Sequence, residues 1–130
     1  MAATSARLSR MRVLAVAVAG SLGALSRYGL GVAVGVQSFP WTTLGINVVG
    51  SFLLGVVLVG GPSWLSATWV TGLAVGFLGA FTTFSTFSFE TQTLLRTGRG
   101  PAALGYVVAS VVLGVVAAWM GYSVGRALTG

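Results

Sequence analysis

GFLGAFTTFSTFSFE, residues Gly76–Glu90, is the stretch on which the reading of this chain turns. It lies inside a long apolar segment, where a lipid-facing helix is normally filled with Leu, Ile and Val. Here Thr82, Thr83, Ser85, Thr86 and Ser88 are interleaved with phenylalanines, and the stretch ends on the chain's only acid, Glu90. A hydrophobic core has no need of that composition. A polar path through a membrane does.

The rest of the composition points the same way. The chain has 130 residues, the length of one domain. It is 55% hydrophobic and 6% charged, whereas soluble domains carry roughly 25% charged residues. Too few polar side chains are present to cover a water-facing surface, so the bilayer is the expected solvent. Cysteine and histidine are absent, which removes thiolate nucleophiles, disulfides, zinc sites and imidazole acid–base chemistry. A single Glu with no Asp rules out a carboxylate pair within one chain, and an enzyme is not expected. All seven positive charges are Arg, set mainly at the ends of apolar spans. Membrane anchoring explains them better than nucleic acid binding does.

Read outward in chain order, one transmembrane domain of four spans emerges, at residues 13–36, 42–59, 66–95 and 102–124. Residues 1–12 are a short arm with Arg7, Arg10 and Arg12. Twenty or so apolar residues cross a hydrocarbon core of about 30 Å, and the apolar run after Arg12 continues past Arg27-Tyr28 without a signal-peptide stop. Phe39-Pro40-Trp41 ends the first span and Gly60-Gly61-Pro62-Ser63 is a tight connection after the second. Trp64 and Trp69 are interface anchors. The third span is longer than one straight crossing needs. It opens on Gly72-xxx-Gly76-xxx-Ala80, a small-residue stripe that permits close helix approach. Its length and its β-branched hydroxyls predict a helix interrupted near residues 79–83. Non-helical backbone at membrane depth is tolerated only when buried in protein or lining a cavity, so the interruption marks a site.

Polar residues on the other helices recur at helical spacing. Thr43, Asn47 and Ser51 share one face of the second span, with Gly50 beside them. Asn47 is either helix–helix glue or a pore-facing donor. In the third span Phe84, Phe87, Ser88 and Thr91 share a face. Such a pair either packs or lines a path: aromatic edges carry partial positive charge, which attracts an anion without trapping it, as conduction requires. Tyr106, Ser110 and Gly114 recur every four residues in the fourth span, with Tyr106 either part of that polar face or an interface aromatic, and Gly121-xxx-Gly125 suits packing. Arg27 lies roughly 22 Å along the first helix from Arg12, near the far interface. It either snorkels or draws anions into a vestibule. Glu90, four residues from Thr86, either accepts hydrogen bonds near the pore end or couples protons.

Four spans put both termini on one side. Arg7, Arg10, Arg12 and Arg126 lie there, against Arg96, Arg99 and a snorkelling Arg27 opposite. This bias is weak by the positive-inside rule. A chain that inserts both ways can pair as an antiparallel homodimer about a two-fold axis in the membrane plane.

At this point the motifs resemble a known family. Gly20-Ser-Leu-Gly23-Ala24-Leu-Ser-Arg27-Tyr28 is similar to the first-helix signature GxxGAxxRY of the Fluc (CrcB) fluoride ion channel family. Residues 43–52 resemble its TLxxNxxGSF motif, and residues 76–90 its GxxGxxTTFSTFSxE motif. The match covers all four spans in order. The resemblance implies an all-α membrane protein with a broken third helix, a dual-topology antiparallel homodimer with two pores, and passive export of cytoplasmic fluoride across a bacterial or archaeal plasma membrane. It implies that Phe84 and Phe87 line the pore with edge-on rings and that Asn47 donates to fluoride. Thr43, Tyr106, Ser110 and the third-span hydroxyls Ser85, Thr86 and Ser88 would continue the polar track. It also implies a structural, non-transported Na⁺ at the dimer centre, held by the Gly79 and Thr82 carbonyls of both copies. Gly114 departs from the family pattern, standing where many relatives carry Ser or Thr, and Ala80 replaces a frequent Gly.

Two other readings fit parts of the sequence. A four-helix, dual-topology multidrug transporter has this size, but it needs a carboxylate in its first helix, and the first span has Arg27 and no acid. A non-transporting membrane subunit accounts for the glycine stripes but not for ordered polar faces on three helices.

Overall fold

The structure, a computed structural model, describes residues 2–130, and the side chains from residue 7 onward. Helix α1 (Ala2–Val34) takes in the arginine-bearing segment expected to be a separate arm. The reason is local: residues 2–19 hold no Gly or Pro and are rich in the strong helix formers Ala, Arg, Leu and Met. The helix stops at Val34 because Gly35 adopts a left-handed φ of 72° and returns its N–H to the Gly31 carbonyl at 3.0 Å.

Helix α2 (Trp41–Val59) follows a loop. Gln37 caps it from upstream: its Oε1 accepts from the Thr42 backbone N–H at 3.1 Å and from Thr42 Oγ1 at 2.7 Å. The Gly60–Ser63 connection is not a plain turn but part of a helical turn, α3 (Gly61–Trp64), with Pro62 in the first-turn position where a missing N–H is harmless. The third span runs from Ala67 to Arg96 in pieces. They are α4 (Ala67–Thr71), a π-helical stretch Gly72–Leu78, α5 (Gly79–Phe81) and α6 (Phe84–Arg96). Helix α7 (Gly100–Ala127) completes four helices long and apolar enough to cross a membrane. The interruption predicted near residues 79–83 is present, at Thr82 and Thr83. The π-helical stretch before it has no signature in the hydropathy pattern.

Within the bundle, α2 lies along α7, and α1 lies along the first half of the third span. Past the break the third span changes neighbour, so that α6 leans on α7 while α2 faces both halves. Lipid tails are as apolar as leucine, so these contacts draw on close packing and hydrogen bonds rather than on the hydrophobic effect. The small-residue stripes supply the packing. A Cβ on Gly76 would meet the Val16 carbonyl at 2.8 Å, and one on Gly121 would overlap the backbone of Phe52. Both stripes read from the sequence are therefore helix-contact surfaces.

Gly121→Ala is expected to cost about 1–3 kcal/mol through backbone displacement, lowering the thermal unfolding midpoint in detergent. Gly114→Ala serves as the control, since its Cβ would find nothing closer than Ser51 Oγ at 3.8 Å. Equal midpoints for the two variants would contradict backbone-to-backbone packing at Gly121.

Candidate functional site

Breaking a helix in lipid strands backbone groups that water would otherwise satisfy. Here two extended residues make the break, Thr82 (φ −78°, ψ 159°) and Thr83 (φ −152°, ψ 116°). Asn47 of α2 meets Thr83 with both ends of its amide. Its Oδ1 accepts from the Thr83 N–H at 2.9 Å, and its Nδ2 donates to the Thr83 carbonyl at 3.2 Å. A carboxamide has the same donor–acceptor spacing as a peptide group, so it substitutes for the missing helical neighbour. Arg27 Nε donates to the Ala80 carbonyl at 3.1 Å, satisfying the end of α5 and placing a cation where the helix dipole favours one. Thr83 Oγ1 accepts from the Thr86 N–H at 3.3 Å and so caps α6.

A second cluster lies two turns into α6 from the break. Glu90 accepts from Thr43 Oγ1 at 2.8 Å through one carboxylate oxygen and from the Tyr106 hydroxyl at 2.7 Å through the other. Tyr106 is fully buried. Its ring packs against Phe87 at 5.1 Å and edge-on against Phe39 at 5.5 Å. Phe84 lies 5.6 Å from Phe87, tilted by 44°. Glu90 thus finds its partners on α2 and α7, not on the Thr86–Thr83 face of its own helix.

Two cavities flank the break. The larger, about 920 Å³, opens between the α1 end, the start of α2 and α6, and its lining includes Arg27, Thr43, Thr83, Thr86, Glu90 and Arg99. The smaller, about 320 Å³, has Asn47, Thr82, Thr83, Phe84, Phe87 and Ser110 in its wall, with Gly79 and Gly114 beside them. Thr83 belongs to both walls. Ser110 Oγ is sealed from solvent and has no hydrogen-bond partner among the described residues. Most other hydroxyls here are spent on their own helix: Ser51 on the Asn47 carbonyl, Ser88 on Phe84 and Thr91 on Phe87.

The predicted residues therefore divide. Asn47, Phe84, Phe87 and Ser110 come together around the smaller cavity, with Gly79 and Thr82. Thr43, Thr86, Arg27 and Glu90 gather in the larger one. Tyr106 lines neither cavity and reaches the site through its hydrogen bond to Glu90 and its ring contact with Phe87. Ser85 and Ser88 sit on the exposed face of α6, outside both linings. Arg27 does not snorkel away from the site: its side chain is bound to the break. The sequence reading placed Thr83 in the hydroxyl-rich stretch but did not foresee it as the cap of α6, and it passed over Arg99 and Gln37, which no periodicity singles out.

This arrangement defines a class: a small polytopic membrane protein whose polar side chains converge on a helix interrupted at membrane depth. Comparison with known proteins narrows it. The family described as CrcB-like protein, Camphor Resistance (CrcB), matches residues 14–122. A Thermus thermophilus protein named fluoride-specific ion channel FluC is 47% identical over 123 residues, which is 92% of this chain and 98% of the relative. A Geobacter sulfurreducens protein of the same name is 45% identical over 121 residues, 89% of this chain and 98% of its own. A Geobacillus kaustophilus protein named fluoride-specific ion channel FluC 2 is 45% identical over 120 residues, 87% and 92%. The chain belongs to the CrcB family, as its motifs suggested. It is a multi-pass protein of the inner membrane.

The clamp is testable by stability alone. Asn47→Ala orphans both polar groups of Thr83, at roughly 1–3 kcal/mol for each. Asn47→Asp keeps an acceptor for the Thr83 N–H and loses the donor to its carbonyl. Thermal midpoints in detergent are expected in the order parent, Asp, Ala. An Ala variant as stable as the parent would show that the amide does not hold the break.

Proposed function

We propose that this chain is a passive, fluoride-selective channel that exports cytoplasmic fluoride, working as a dual-topology antiparallel homodimer with two pores. The observation that carries the reading is the smaller cavity. There the second N–H of Asn47, beyond the one given to Thr83, remains as a donor beside the rings of Phe84 and Phe87, and the unpartnered Ser110 hydroxyl is buried in the same wall. Fluoride is small and strongly hydrated, so a narrow path must replace its water with several donors at once. Neutral O–H and N–H groups do so without the tight hold of a cation, and aromatic edges add weak attraction. Larger halides are excluded by width. The names of the relatives support fluoride as the ion. The chemistry is permeation, and no bond is made or broken.

A second copy is supported by what one chain leaves uncovered. Phe84 is 79% exposed, and the polar wall of the smaller cavity is open on one side, a state that lipid cannot satisfy. The weak arginine bias favours an antiparallel partner.

A structural Na⁺ fits the same break. The helical donor to the Gly79 carbonyl would be the Thr83 N–H, which turns to Asn47 instead, and the extended ψ of Thr82 swings its carbonyl out of the helix direction. Two such oxygens near a helix C-terminus suit a hard cation, and the matching pair from a second copy would complete the set. Bound there, Na⁺ supplies cohesion between copies and takes no part in conduction.

Efflux from K⁺-loaded proteoliposomes, followed with a fluoride electrode, tests the channel. Fluoride is expected to leave rapidly once valinomycin is added, with no chloride flux. Fluoride release that needs no ionophore would contradict a passive electrogenic path. Phe84→Ile and Phe87→Ile are each expected to abolish efflux while the dimer persists on gel filtration. Normal flux in both would remove the aromatic-edge mechanism. Purification in N-methylglucamine in place of Na⁺ is expected to lower the thermal stability of the dimer, and an unchanged midpoint would argue against the cation.

A further inference from the structure

The larger cavity holds an arginine that the polar faces do not predict. Arg99 lies in the connection between α6 and α7, where Gly98 turns with a φ of 75° and the Arg99 N–H returns to the Leu94 carbonyl at 2.9 Å. An exposed arginine in such a loop is ordinarily free to swing in solvent. This one is tethered, because its Nη1 donates to the Ser38 carbonyl in the α1–α2 connection on the other side of the cavity mouth. The guanidinium is thereby fixed at the rim while remaining part of the lining.

The charges around the cavity make that position matter. Its lining contains Arg27 and Arg99 against Glu90 and so carries an excess of positive charge. The two arginines differ in depth and in task. Arg27 is committed to the Ala80 carbonyl at the break, whereas Arg99 bonds only the rim and faces water. Glu90 is committed as well, each oxygen taking a hydroxyl. A fixed charge at the mouth of a low-dielectric cleft raises the local concentration of counter-ions, and salt screens the effect.

Resting on the fluoride-channel reading above, we infer that Arg99 is an anion-recruiting residue: it sets how often a fluoride ion enters the larger cavity when fluoride is dilute. It does not touch the ion in the narrow path, so it leaves the saturating rate and the selectivity alone. In an antiparallel dimer each membrane face would carry one such rim. Arg96, one turn back in the last turn of α6 and outside the lining, has no such role.

The test is a charge series read against ionic strength. Initial fluoride efflux is measured in proteoliposomes at sub-saturating fluoride for the parent chain, Arg99→Lys, Arg99→Gln, Arg99→Glu and Arg96→Gln. At low ionic strength, where the Debye length is about 30 Å, Gln is expected to slow efflux about twofold to threefold and Glu by roughly the square of that. Lys and Arg96→Gln stay near the parent. At about 1 M salt, where screening acts within about 3 Å, all five converge. Loss in Gln and Glu that is equal at both ionic strengths would overturn the inference, since it would mean that Arg99 only ties the two loops together. Unchanged efflux at low ionic strength would overturn it too. Parent chain that passes no fluoride under any salt would overturn the channel reading, and this inference with it.

Discussion

The two hydrogen bonds between the Asn47 amide and the Thr83 backbone are the constraint on which the site depends. A helix interrupted in hydrocarbon is expensive because each stranded N–H or C=O has no water to turn to. One carboxamide on a neighbouring helix answers both groups of the residue at the break. Arg27 and the Thr83 hydroxyl answer others. Around that repair the third span is free to change partner, packing its first half on α1 and its second on α7. The two cavities are a consequence, since the extended residues Thr82 and Thr83 stand where a continuous helix would have closed the wall.

Polar side chains in this bundle serve two different ends, and the hydrogen bonds separate them. Those already partnered hold structure: Glu90 draws α2 and α7 together through Thr43 and Tyr106, and several Ser and Thr hydroxyls return to the carbonyl four residues back. Those with unused donors are left over from that structure. Ser110, its hydroxyl buried, and one N–H of Asn47 are such groups, and both residues line the smaller cavity. In the fluoride-channel reading, structure and permeation compete for the same small supply of donors. Asn47 shows how the competition is resolved: one N–H goes to the backbone and the other is left over.

The glycine stripes matter for the same reason. Backbone hydrogen bonding is complete only if the helices approach closely enough for side chains such as Asn47 and Arg27 to reach across. Gly76 against Val16 sets that distance between α1 and the third span, and Gly121 against Phe52 seats α7 on α2. Gly50 makes the point at the break, where a Cβ would overlap the Thr82 methyl group. Packing and polar satisfaction are thus a single requirement here, because in lipid no hydrophobic force draws the helices together independently.

Much of this was legible in the sequence. Four apolar runs, a third too long for one crossing, Thr and Ser among phenylalanines, and small residues every fourth position together imply the spans, the interruption and the contact faces. Those features rest on one-dimensional properties, hydropathy and helical periodicity, that neighbours in space do not alter. Partner choice was not legible. Glu90 and Thr86 share a helical face, yet Glu90 bonds Thr43 and Tyr106, which are 47 and 16 residues away in the chain. Asn47 left two readings open until Thr83 was seen opposite it. The π-helical stretch also escaped, because whether a turn widens depends on what packs against it, whereas the helical arginine segment follows from local propensity that the span reading set aside. Hydropathy and helical periodicity suffice to say which residues cross the membrane and which helical faces they share. Which donor meets which acceptor follows from the packing of the helices in space, because hydrogen bonds form across distances of about 3 Å that no sequence spacing records.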